Sequence, residues 1–119
     1  MPQFLFLLYD DPSKWREMSP QELQTANKKY MGWGEKARQA GFVRAGQKLV
    51  DDAGKVLRGP QRAATDGPYS ETKELAGGYY VIEAANYDEA VRGALDHPHL
   101  QYGGTIEIRQ VEELPSQPT

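Results

Sequence analysis

The sequence predicts an α+β fold of the ferredoxin-like type, a βαββαβ chain with a hairpin inserted in its middle. Three observations predict it. Apolar, strand-sized runs at 3–9, 42–50, 78–84 and 105–111 alternate with two stretches of helical periodicity that begin at Ser19 and Asn86. Their order is strand–helix–strand, an excursion, then strand–helix–strand, which suits a four-stranded antiparallel sheet with both helices on one face. The chain has 119 residues, enough for one such domain and not two. We expect a single domain over 1–112 and a loose tail over 113–119, where Pro115 and Pro118 fall.

Each element has its own warrant. In the first strand Phe4, Phe6 and Leu8 point one way, and Leu5, Leu7 and Tyr9 the other, so both faces are apolar. Asp10-Asp-Pro-Ser13 breaks it. Ser19-Pro20-Gln21-Glu22 is a helix start, with a capping serine, proline in the first turn and a glutamate that completes a capping box. Leu23, Ala26, Tyr30, Trp33, Ala37 and Ala40 then form one apolar stripe, and Gly41 ends the helix. Gly32 and Gly34 weaken its middle and leave room for close packing. The second strand carries Gly46 as a bulge or close-approach point. After the turn at 51–54, short strands at 55–57 and 61–65 form the hairpin. In the third main strand Tyr79, Val81 and Glu83 share one face, and Tyr80, Ile82 and Ala84 the other. Asn86 caps the second helix, whose inner face is read as Tyr87, Ala90, Val91, Ala94 and Leu95, and Pro98 stops it. The last strand sets Ile106 and Ile108 against Thr105, Glu107 and Arg109.

Composition excludes several function classes. The net charge is −3, so no basic field exists to attract nucleic acid or an anionic membrane. No apolar run approaches the ~20 residues of a membrane span. Met-Pro-Gln before the first strand has no basic region or cleavage site, so no signal peptide is expected. There is no cysteine, hence no disulfide, thiolate nucleophile or Cys-based zinc site, and a cytoplasmic location is the default. Phosphate-loop, Rossmann and nucleophile-elbow signatures are absent, so no cofactor is expected. His97 and His99 raise the question of a metal, but no third ligand has matching spacing; a cationic helix end is the competing reading.

The densest polar cluster is Asp66-Gly-Pro-Tyr-Ser-Glu-Thr-Lys-Glu74, a turn signal leading directly into the third main strand. Asp66 reads either as a base or ligand contact in a cleft, or as the cap of an Asx turn before Gly67 and Pro68. Glu71, Lys73 and Glu74 fall within four positions. A carboxylate beside an ammonium holds its charge while a second carboxylate is pushed toward neutrality, which yields an acid and a base; a solvated charged loop is the alternative. Arg109 suits a bidentate clamp on a substrate carboxylate, with Glu107 beside it, or a structural ion pair. Tyr9 either presents its hydroxyl to the same cavity or is a core-edge tyrosine. Trp33 reads as core, or as a closure of the cleft.

Two helices cover only one face of the sheet, yet two strands are apolar on both. A homodimer packed sheet to sheet is the simplest cover, with Glu107 and Arg109 lining a semi-enclosed cleft near the interface.

The nine residues 66–74 closely resemble the D-G-P-F-x-E-T-K-E signature of the YCII-related, DGPF-type domain family. The similarity continues through Leu75-Ala-Gly-Gly-Tyr-Tyr80, Tyr87-Asp-Glu-Ala90, His97-Pro98 and Tyr102-Gly-Gly-Thr-Ile-Glu-Ile-Arg109, and spans about 3–111. Tyr69 stands where the signature has Phe. The resemblance implies a dimeric α+β barrel, related to small lactone isomerases and dehydrochlorinases, with a ligand pocket to which Tyr69 would add a hydroxyl. Shorter relatives carry a proposed His–Asp pair, whereas the histidines here lie only at the end of the second helix. Members often occur beside extracytoplasmic-function sigma factors, so a regulatory or interaction module is the alternative. The leading expectation is a small-molecule site with proton-transfer chemistry. Asp66 and Glu71 would handle protons, Lys73 would stabilise negative charge, and Tyr9, Tyr69, Glu74, Glu107 and Arg109 would contact the ligand.

Overall fold

Strict alternation along the first strand decides the layering of the whole molecule. In the computed structural model, which describes residues 1–66 and 74–115, β1 (Gln3–Asp10) runs through the middle of a four-stranded antiparallel sheet. Its neighbours are β5 (Leu75–Glu83) and β6 (Thr105–Gln110), and β2 (Val43–Lys48) lies beyond β5. This order is the ferredoxin-like one, and the expected α+β fold is the observed fold. The excursion is a separate hairpin, β3 (Lys55–Arg58) with β4 (Ala63–Asp66). Every residue of β4 is exposed, as is Leu57 on β3.

Two longer helices lie on one side, α2 (Pro20–Gln39) and α3 (Tyr87–Ala94), together with the short α1 (Ser13–Arg16) and α4 (Pro98–Gln101). On that side Phe4, Phe6 and Leu8 join Val43, Ile82, Ala84, Ala90 and Ala94 in one buried cluster. Tyr30, Trp33, Phe42 and Tyr80 pack at its edge. The opposite side is open. There the register pairs Leu5 with Val81 and Leu7 with Tyr79, all four only partly buried.

Local sequence explains how the helices start and stop. Ser19 accepts from the Glu22 amide, and the Glu22 carboxylate accepts from the Ser19 amide, the reciprocal box read from Ser19-x-x-Glu22. At the far end the Gly41 amide donates to the Arg38 carbonyl and the Phe42 amide to the Ala37 carbonyl. Gly41 sits at φ +80°. This is a Schellman cap, which needs a left-handed residue and explains the glycine. Asn86 accepts from the Glu89 amide and caps α3.

The structure differs from expectation in four places. α1 and α4 fall where only chain breaks were expected: Pro98 stops α3 but also opens α4, because proline fits a first helical turn. β5 begins at Leu75, before the two glycines, because Leu75 and Ala76 pair with Asp10 and Tyr9 of β1; a Cβ at Gly78 would lie 3.0 Å from the Gln47 carbonyl, so glycine there eases the pairing with β2. Of the expected inner face of α3, only Ala90 and Ala94 are buried; Tyr87, Val91 and Leu95 are exposed, although the Tyr87 ring still meets Phe4 edge-on at 4.9 Å. Among the described residues nothing lies within 4 Å of a Cβ placed at Gly32 or Gly34. Gly46 is a close-approach point as expected, since a Cβ there would meet the Tyr80 ring at 2.8 Å.

Candidate functional site

The last residues of β1 hold side chains on both surfaces of the sheet, and the chemistry divides accordingly. On the open side, a cleft of about 460 Å³ lies between the end of the sheet and the root of the hairpin. Tyr9, Glu74, Leu75 and Ala76 form its sheet wall, and Leu49 and Val56 contribute to the other. The Tyr9 hydroxyl donates to Glu107 Oε1 at 3.0 Å. The contact follows from register: Tyr9 pairs with Thr105 on β6, so Glu107 is its diagonal neighbour on the same face. Arg109, two residues further, lies 3.9 Å from the other Glu107 oxygen. Burial first, and then the Glu107 carboxylate, push the Tyr9 phenol above its ordinary range. At neutral pH Tyr9 therefore keeps its proton and donates a hydrogen bond to Glu107, while its oxygen lone pairs remain able to accept one.

Tyr9, Glu107 and Arg109 are thus brought together, and Glu74 shares the cleft with Tyr9, whereas Glu107 and Arg109 lie outside its lining. Asp66 ends β4, outside the cleft lining; it is exposed and ion-paired with Lys55, its cross-strand partner. Tyr69, Glu71 and Lys73 lie outside the described residues.

The helix side holds what the sequence reading missed. His97 and His99 are 2% and 3% exposed, and each uses both ring nitrogens. The His99 Nε2–H donates to the Tyr9 carbonyl at 2.8 Å, so its Nδ1 is left to accept the Tyr30 hydroxyl at 2.7 Å. His97 Nδ1 accepts the His99 amide at 2.9 Å, which leaves Nε2–H to donate to the Tyr80 hydroxyl at 3.1 Å. Trp33 packs edge-on against His97, and its indole N–H donates to Asp96. The neighbouring Asp10 is buried and accepts the Trp15 indole N–H.

Desolvation lowers both imidazoles, His97 to about 4, so both are neutral at pH 7. The expected cationic helix end is therefore corrected: burial removes the charge. Trp33, read as core or as a closure of the cleft, belongs to this buried cage. Its partners come from α2, β5 and α4, far apart in sequence, so no local motif announces them. The one available signal was the tyrosine–tryptophan spacing on the apolar stripe of α2.

The family model for the YCII-related domain matches residues 2–115. The chain belongs to the YCII-related domain family. An uncharacterised protein of Rhizobium meliloti (strain 1021) is 30% identical over 128 aligned positions, covering 95% of this chain and 98% of that protein. Among solved structures, 5-chloro-2-hydroxyhydroquinone dehydrochlorinase from Burkholderia phenoliruptrix AC1100, in complex with 2,5-dihydroxybenzoquinone, superposes with a TM-score of 0.57. That match covers 92% of this YCII-related chain and 93% of the dehydrochlorinase at 14% identity, a likeness of fold.

Proposed function

We propose that this YCII-related protein is a small cytoplasmic homodimer that binds a small, oxygenated organic molecule in the Tyr9 cleft and moves a proton on it without a cofactor. The observation that carries the reading is the Tyr9–Glu107–Arg109 chain, in which Tyr9 lines the cleft and Glu107 and Arg109 lie outside its lining on the same sheet face. A cleft of about 460 Å³ fits one small ring. Tyr9 accepts a ligand hydroxyl, and Arg109, beside Glu107, draws an anionic group along the same face. The shared fold with an enzyme solved in complex with 2,5-dihydroxybenzoquinone supports a ligand of this class. Glu71 is the proposed proton-handling group of the segment before β5, Lys73 the proposed stabiliser of negative charge, and Tyr69 and Glu74 the proposed ligand contacts. Asp66, proposed from sequence as a second proton-handling group, is instead engaged by Lys55, and its own variant decides between the two roles.

The test is a thermal-shift screen of small phenols, hydroxyquinones, carboxylates and lactones on wild type, Tyr9→Phe, Glu107→Gln, Glu71→Gln and Asp66→Asn. A ligand at about 100 times its Kd stabilises the folded protein by ~2.7 kcal/mol, a shift of several degrees for a chain of this size. The expected result is a wild-type hit weakened roughly tenfold by Tyr9→Phe, one lost hydrogen bond, and unchanged by Asp66→Asn if that carboxylate serves only the hairpin. A hit that Tyr9→Phe and Glu107→Gln leave untouched sinks the cleft assignment. Silence across the library favours the interaction module, with the exposed β3–β4 hairpin as its docking element and an extracytoplasmic-function sigma factor as the partner to try.

A further inference from the structure

The two surfaces of the sheet meet at one residue. Tyr9 lines the open cleft and its phenol donates to Glu107, while its carbonyl is held from the helix side by His99. The hold comes at the end of the β1–β6 ladder, where Tyr9 pairs with Thr105, the first residue of β6. The orientation of His99 is fixed on three sides. Tyr30 donates to Nδ1, which sets the tautomer that places the proton on Nε2. The ring lies directly on Gly104, where a Cβ would come within 2.2 Å of Nε2. The backbone amide of His99 is fastened to His97, whose ring is held in turn by Tyr80 and Trp33.

Resting on the reading of the Tyr9 cleft as the binding site, we propose that His99 is a positioning residue for that site. It acts through the Tyr9 carbonyl, locking the end of β1 so that the phenol meets Glu107. It never touches the ligand, and nothing in this role requires it to change protonation state. Tyr30 is the second member of the device, because it determines which imidazole nitrogen carries the proton. A backbone carbonyl that swings by a few tens of degrees carries its own side chain with it. Loss of the His99 donor therefore loosens the Tyr9–Glu107 hydrogen bond on the far surface of the sheet.

The Tyr9 phenol reports this directly, with no ligand present. Its titration is held above the ordinary tyrosine range by burial and by Glu107, against the opposing charge of Arg109. The full chain is labelled with ¹³C at the tyrosine Cζ positions, Tyr9 is assigned with Tyr9→Phe, and its titration is followed by NMR. The expected result in His99→Leu is a downward shift of the Tyr9 titration toward that of ordinary tyrosine, with circular dichroism unchanged. His99→Gln, whose amide N–H replaces Nε2–H, restores the wild-type curve. Tyr30→Phe moves it in the same direction as His99→Leu, by less. A folded His99→Leu protein with the wild-type Tyr9 titration overturns the proposal, as does a His99→Gln protein indistinguishable from His99→Leu. Should His99→Leu fail to fold, Tyr30→Phe decides by the same criterion. A failed ligand screen leaves this measurement unaffected, so the two readings fall separately.

Discussion

At the scale of single residues, the least expected feature is a pair of neutral histidines in the interior. His97 is 2% exposed, and its titration is lowered by desolvation and by His99, with Asp96 opposing. The unfolded chain takes up a proton at this position near pH 6.5, whereas the folded chain does so only near pH 4. Between those values the unfolded state binds more protons, so stability falls as the pH falls. It is fully present above about pH 6.5 and lost progressively down to about pH 4. The expected loss from His97 is on the order of 3 kcal/mol, with His99 adding in the same direction. Urea unfolding from pH 7.5 to 4 measures it. His97→Asn keeps an N-cap acceptor for the His99 amide but does not titrate, so its profile should be flatter across that window. An equally steep profile would show that other groups drive the acid loss. The sequence could not show this burial. His-Pro-His reads as an exposed helix end, and its burial depends on rings delivered by α2 and β5.

Elements were legible wherever periodicity had room to act. Eight residues of alternating β1 and twenty of α2 declare themselves, as do the Ser19 box and the Gly41 stop. Helices of four residues, α1 and α4, complete barely one turn, so no stripe can form and only tertiary contacts reveal them. α3 was read correctly as a helix but given too wide an inner face, because only its two alanines approach the sheet closely enough to be buried. The cap of α2 gives the sharpest test at this scale. Ser19→Ala removes the acceptor for the Glu22 amide and breaks the reciprocal box. A loss of about 1 kcal/mol in urea unfolding is expected, with Ser19→Asn close to wild type because asparagine caps equally well. Wild-type stability in Ser19→Ala would mean that packing of the apolar stripe alone holds the first turn.

For the whole molecule, amphipathy carries information that a single chain leaves unused. The sequence made β1 and β5 apolar on both faces, and the described residues cover only one of them. Phe4, Phe6 and Ile82 are fully buried, while Leu5, Leu7, Tyr79 and Val81 remain partly exposed as two cross-strand pairs. The candidate site was only partly legible for a related reason. Tyr9, Glu107 and Arg109 could be placed on one face by alternation, but their contact depends on the β1–β6 register, which no local pattern fixes. The open face and the Tyr9–Glu107 pair are continuous, since Leu7 lies opposite Glu107 in that register. A second copy stacked on this face would bury the apolar pairs and close the side of the cleft now open to solvent, which strengthens its hydrogen bonds. Val81→Lys places an ammonium in the centre of that face, harmless in a monomer and strongly unfavourable once desolvated. Light scattering should give twice the 13.3 kDa chain mass for wild type and the single-chain mass for Val81→Lys, with circular dichroism unchanged. A wild-type protein of single-chain mass at micromolar concentration removes the dimer. The cleft would then stay open to water, and Tyr9 and Glu107 would have to bind their ligand in competition with it.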